Sequence, residues 1–143
     1  QKAYYLASVA DTVFINPVGA IDFKGLSSEV LFLKNLQEKT GVKMEVIRHG
    51  KYKSAVEPFL ENEMSANNRE QITSFLKSIW NEMLVDISES RNISVEELNL
   101  IADGLLARNP KLAIENKLVD GAIYMDEYEA KLNGIPKNSS FAL

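Results

Sequence analysis

The chain of 143 residues has no cysteine and one histidine, His49. The first absence rules out disulfides and thiolate chemistry, and it leaves the compartment open, because cysteine-free chains occur on both sides of a membrane. The second excludes a multi-histidine metal site. No apolar run approaches the roughly 20 residues that a membrane-spanning helix needs, and no charged-then-apolar signal-peptide start is present. A basic stripe is missing as well. The 16 lysines and arginines are scattered among 20 acidic residues, for a formal charge of -4, which argues against nucleic acid as a partner. Glycine-rich phosphate loops, metal-spaced carboxylates and nucleotide fingerprints are also lacking, so neither cofactor nor metal is expected. There is no initiator methionine: Gln1 to Ser8 reads as the middle of an apolar helix, and the expectation is an excised piece of a larger protein.

What is present is 45% hydrophobic, enough for one modest core and for one domain or most of one. Ala3 to Ala10 suits a buried helix, and Val13-Phe14-Ile15 is a β-branched and aromatic run that predicts a core strand. Asn16-Pro17-Val18-Gly19 is turn chemistry, with glycine expected at a positive φ, and Ala20 to Phe23 predicts a second short strand. A helix follows Gly25, with Ser27 or Ser28 as its cap, Val30, Leu31, Leu33 and Leu36 on one face, and Gly41 at its end. Val42 to Ile47 alternates as a strand does, and Arg48 to Ser54 is a loop.

The longest element is predicted from about Asn67 to Ser90. Its apolar residues, Ile72 to Ile87 through Trp80, recur at spacings of three and four, which predicts one buried face with Trp80 in the core or a subunit interface. Ser94-Val95-Glu96-Glu97 is a capping box opening a helix that stops near Gly104. Pro110 to Asn116 predicts a short helix, Leu118 to Asp120 a strand or turn, and Asp126 to Leu132 a closing helix ended by Asn133-Gly134. Strands alternating with helices, then helices to the end, describe an α/β unit with a helical carboxy-terminal part. So few strands suggest that the front of the domain is missing.

The stretch Arg48-His49-Gly50-Lys51-Tyr52-Lys53-Ser54-Ala55-Val56-Glu57-Pro58-Phe59 holds the groups best able to act. A lysine serves as a base only when neutral, so its reference pKa of about 10.4 must fall by roughly three, which takes a buried, apolar setting. Tyr52, Ala55, Val56 and Phe59 could supply that setting for Lys53. Lys51, beside Gly50, has fewer apolar neighbours. Ser54 adjoins Lys53, and adjacent side chains of an extended segment point to opposite faces, so the two do not form a dyad. Ser8 reads as a small helix-packing residue, His49 as structural or exposed, and Glu57 as a loop carboxylate pairing with Arg48 or Lys51.

Tyr4-Tyr5-Leu6-Ala7-Ser8, Ala10-Asp11, Asn16-Pro17-Val18-Gly19 and above all Tyr52-Lys53-Ser54-Ala55-Val56-Glu57-Pro58-Phe59 resemble the amino-terminal repeat of the long, two-repeat signal peptide peptidase A (protease IV) family. The likeness continues through Met64-Ser65, Arg69-Glu70, the helix around Trp80 and Ala113 to Asp120. The resemblance implies a Clp protease/crotonase-like fold, here a partial domain over residues 1–134, with 135–143 as tail or linker. It also implies a serine endopeptidase that degrades signal peptides after their release. Lys53 matches the family's catalytic lysine, and the second repeat of the same protein supplies the serine and the oxyanion donors. Implied partners are a peptide substrate, that second repeat and further copies in a homo-oligomer. Implied placement is membrane-associated through an anchor outside this chain, with the catalytic body outside the cytoplasm, on the periplasmic side in a Gram-negative bacterium. The rival readings are a non-catalytic scaffold repeat and, more weakly, a crotonase-type acyl-CoA enzyme.

Overall fold

The computed structural model describes residues 1–42, 44, 45 and 56–134. The chain divides into two compact units, one formed by Gln1–Gly25 with Asn81–Leu143 and the other by Leu26–Trp80. The described residues are mostly helical, with strands limited to one two-residue parallel pair. This is an α/β order with far less sheet than an ordinary domain of that class carries.

In the first unit, α1 (Lys2–Ala7) leads to β1 (Phe14–Ile15), which pairs in parallel with β2 (Gly121–Ala122), Phe14 opposite Gly121 and Ile15 opposite Ala122. A side chain at Gly121 would put its Cβ 3.3 Å from the Phe14 ring, so glycine permits the close approach there. β2 lies just after Leu118–Asp120, where the sequence reading put a strand or turn. Leu118 and Val119 are instead taken up in leaving α6 (Pro110–Glu115): Lys117 adopts φ 59°, and the Leu118 N–H returns to the Ala113 carbonyl at 2.9 Å. That closure is a left-handed helix stop.

Asn16 to Gly19 is a turn as expected, closed by Gly19 N–H to the Asn16 carbonyl at 2.7 Å and by Val18 N–H to Asn16 Oδ1 at 3.0 Å. The positive φ expected at Gly19 does not occur. The glycines in that region are Gly25 and Gly41, and what Gly19 provides is room, since a Cβ there would meet the Asn16 carbonyl at 3.0 Å. Ala20 to Phe23 is not a strand, although Ile21 and Phe23 are buried and their neighbours exposed, so the alternation is real and the ladder is not.

The core sits in this unit. Tyr4, Val13, Phe23, Leu84, Ile87, Ile93, Leu98, Ile101, Leu118 and Val119 are all buried. The Tyr4 ring meets Phe23 edge-on at 5.9 Å, and its hydroxyl donates to the Leu118 carbonyl at 2.9 Å. Burial raises the Tyr4 pKa well above the usual phenol range. Arg91 reaches the Lys117 carbonyl and the Asp120 carboxylate, the latter at 2.9 Å, while Asp120 also accepts from Val13 N–H at 2.7 Å. The Arg91 hydrogen bond, more than the partial burial that opposes it, lowers the Asp120 pKa.

Helix α4 (Ala66–Arg91) matches the predicted long element, but its stripe is not buried throughout. Met83, Leu84 and Ile87 are buried, Trp80 is half-buried, and Phe75 is 64% exposed. The expectation of a continuous buried face therefore holds for the last turns only, where α4 belongs to the unit that carries the core. Helix α5 (Val95–Asp103) begins as its capping residue foretells, with Ser94 Oγ accepting from Glu97 N–H at 3.1 Å. Helix α7 (Met125–Asn133) closes the described chain, its Glu127 carboxylate accepting from Tyr124 N–H at 2.9 Å.

The end of α5 carries a strained residue. Gly104 keeps an ordinary helical φ of -82°, and the left-handed position falls on Leu105, at φ 52° and 45% exposed. A side chain in that conformation costs about 1 kcal/mol that glycine avoids. Leu105→Gly is expected to stabilise the protein by about 0.5 to 1 kcal/mol, read as a higher denaturant midpoint at unchanged slope. A lower midpoint would show that the Leu105 side chain contributes more by packing than its backbone costs.

Candidate functional site

Lys53, with Arg48, His49, Lys51 and Ser54, lies outside the described residues. The chain on either side of that stretch is described, and it is held in the second unit by a compact set of hydrogen bonds. On the carboxy-terminal side, Val56 leads into α3 (Glu57–Leu60), a single turn that the sequence reading did not foresee, with Pro58 in its first turn. Proline suits that position, where its missing N–H would have no helical partner. The Pro58 carbonyl accepts from Leu33 N–H at 2.6 Å.

That bond also explains where α2 begins. The helix was expected soon after Gly25 with a serine cap, whereas it spans Lys34–Thr40, with Leu33 at its N-cap position and no side-chain cap. A start at a cap on Ser27 or Ser28 would have required the Leu33 N–H to bond within the helix, and that donor is committed to Pro58. The expected end at Gly41 is observed, with φ 72°. Among the described residues of Val42 to Ile47 no strand is formed.

Glu57, read from sequence as a partner for Arg48 or Lys51, has its carboxylate on the start of α4. Its Oε1 accepts from Ser65 Oγ at 2.7 Å and its Oε2 from Asn68 Nδ2 at 2.9 Å. Ser65 Oγ in turn accepts from Asn68 N–H at 3.3 Å, in the manner of a helix cap. The carboxylate therefore ties α3 to α4, and its two proposed partners lie among the residues not described.

Gln37 on α2 completes the set. Its Nε2 donates to the Phe59 carbonyl at 2.9 Å, and its Oε1 accepts from Met44 N–H at 2.9 Å. Around it lies a groove of about 340 Å³ with Val42, Met44, Phe59 and Leu60 as apolar walls. Sequence reasoning passed over Gln37 because a polar residue on a short helix reads as solvated surface. Only the positions of Met44 and Phe59 on either side of the reactive stretch could have drawn attention to it.

Ser8 is placed as the sequence suggested. It is 1% exposed, and its Oγ donates to the Tyr5 carbonyl at 2.8 Å, so the hydroxyl is packed at the end of α1 rather than presented to a substrate. Tyr5 donates to the Asp86 carboxylate, and that hydrogen bond raises its pKa. Among the described residues there is no cluster that could hold a metal ion and no helix long and apolar enough to cross a membrane.

Comparison with known proteins agrees with the resemblance. The chain is 43% identical over 98 residues to Protease 4 of Haemophilus influenzae, covering 68% of this chain and 16% of that protein. It is 36% identical over 139 residues to Protease 4 of Salmonella typhi, covering 92% of this chain and 22% of that protein. With the chloroplastic serine protease SPPA of Arabidopsis thaliana it shares 30% identity over 105 residues, 73% of this chain and 16% of that protein. The chain thus spans less than a quarter of the length of these relatives. The family model of peptidase family S49 matches residues 1–135, nearly the whole sequence, and the chain belongs to that family.

Proposed function

We propose that this chain is the lysine-bearing part of a serine endopeptidase of the signal peptide peptidase A type, with Lys53 as general base. The reading rests on one observation above the rest: Lys53 stands in the Tyr52-Lys53-Ser54-Ala55-Val56-Glu57-Pro58-Phe59 string, inside the residues matched by peptidase family S49. Relatives bearing the names Protease 4 and serine protease support the class of reaction. In this reading a serine from a second repeat attacks the scissile carbonyl, its proton passes to the neutral Lys53 amine, and the protonated amine then returns a proton to the leaving amine. The fold is a partial Clp protease/crotonase-like domain. The substrates are signal peptides already released from their preproteins, and the whole enzyme is membrane-associated and oligomeric, with its catalytic body outside the cytoplasm.

The isolated chain is then inactive, because a general base without nucleophile and oxyanion donors cannot build an acyl-enzyme. Incubated with a fluorogenic peptide, it is expected to give no turnover above buffer. Turnover abolished by a serine-directed phosphonate would place the nucleophile within these residues and overturn the division of labour.

A further inference from the structure

We propose that Leu100, Leu105 and Leu106, at the end of α5, form a docking patch for the second repeat of the parent protease, which meets them with an apolar surface rimmed by lysine or arginine. The inference rests on the reading of the parent as a two-repeat enzyme and not on the role of Lys53. The three leucines are 68%, 45% and 38% exposed. They are neighbours, since a side chain at Gly104 would put its Cβ 3.0 Å from Leu106 Cγ and 3.1 Å from the Leu100 carbonyl. The helix does not need them on display. Its core face is already supplied by Leu98, Ile101 and Ala102. Its end is closed by Leu106 N–H to the Ile101 carbonyl at 2.9 Å and by Leu105 N–H to the Ala102 carbonyl at 3.2 Å. That double closure puts Leu105 at the left-handed position, φ 52°, where glycine fits without strain. Strain kept for the sake of an exposed leucine, inside an exposed apolar patch, points to a contact outside this unit.

Charge selects the occupant. On the surface of α5 the residues three and four places from Leu100 are Glu96, Glu97, Asp103 and Gly104. The three acids are exposed, and among the described residues none of them is in an ion pair. Arg108, two residues beyond Leu106, leaves the rim net acidic. Such a rim repels an anionic bilayer, and it repels the same patch on a second copy, where like charges would face each other. It attracts an apolar surface with a basic rim on a different part of the protein. The chain spans less than a quarter of the length of its Protease 4 relatives, so most of the surface able to meet this patch lies elsewhere in the same polypeptide.

The test replaces Leu100 by benzoylphenylalanine in the whole protease, irradiates it in its membrane, and maps the cross-links by mass spectrometry. The expected product joins α5 to a second-repeat peptide that carries lysine or arginine, and it runs as a single chain on a denaturing gel. The same probe at position 103, on the rim, repeats the measurement in case the bulky group at 100 pushes the partner away. Leu105→Asn tolerates the left-handed backbone but removes the apolar contact, and it is expected to lower the cross-link yield about tenfold. Glu97→Gln with Asp103→Asn neutralises the rim and should lower the yield as well. Cross-links from both positions to lipid, to a second copy at doubled mass, or to nothing overturn the proposal, as does an unchanged yield in Leu105→Asn. Cross-linking needs no turnover, so the two readings fail separately. An active Lys53→Ala enzyme with the cross-link intact removes the general base and keeps the docking patch, whereas a dead Lys53→Ala enzyme without the cross-link does the reverse.

Discussion

Substitution of Lys53 by alanine or by arginine in the whole protease is expected to lower turnover by about a thousandfold, within the range that general-base catalysis contributes. The two variants fail for different reasons. Alanine removes the base, whereas arginine keeps a long polar side chain but stays protonated at every working pH. Their agreement would therefore separate a need for a neutral amine from a need for a side chain of that length or charge. Lys51→Ala is the control: it removes a nearby cation in the same stretch and should retain most activity. In the wild type the rate should rise with pH as the amine loses its proton, with an apparent pKa below the free-lysine value of about 10.4. Turnover on a fluorogenic peptide, with circular dichroism to confirm folding, decides the matter. Near-normal activity in a folded Lys53→Ala enzyme would remove Lys53 from the chemistry and leave the scaffold reading in its place.

The elements legible in the sequence were those whose signals are local. The ends of α5 and α2 are written in Ser94 and Gly41, because a cap needs only its own turn, and the length of α4 follows from a stripe that repeats at helical spacing. What failed was decided by partners distant in sequence. The start of α2 depends on Leu33 donating to Pro58, and α3 exists between Pro58 and that contact. The place of β2 depends on its pairing with Phe14 and Ile15 at the other end of the chain, and burial along α4 depends on which unit each turn joins. The site divides in the same way. Lys53 was singled out because a run of eight residues around it carries a family resemblance, while the two hydrogen bonds of Gln37 were not legible because they depend on where Met44 and Phe59 come to lie.

Phe23→Ala is expected to cost about 3 to 5 kcal/mol of stability, the range for removing a buried aromatic ring. Phe23 is 2% exposed, and its loss empties the space against the edge of the Tyr4 ring. Tyr4 cannot follow freely into that space, because its hydroxyl is held by the Leu118 carbonyl at 2.9 Å, and Leu118 is itself buried. A cavity that its walls cannot fill costs more than the transfer of the lost atoms alone. The sequence put Trp80 in the core or a subunit interface, and the structure buries it less deeply than Phe23. Trp80 is half-buried and lies on the part of α4 where Phe75 and Ile79 are exposed, so Trp80→Ala should cost distinctly less than Phe23→Ala despite its larger ring. Denaturant unfolding of the two variants beside the wild type measures both. A loss under about 1 kcal/mol for Phe23→Ala, or a larger loss for Trp80→Ala, would put the centre of the core on α4 and away from the Tyr4, Phe23 and Leu118 group.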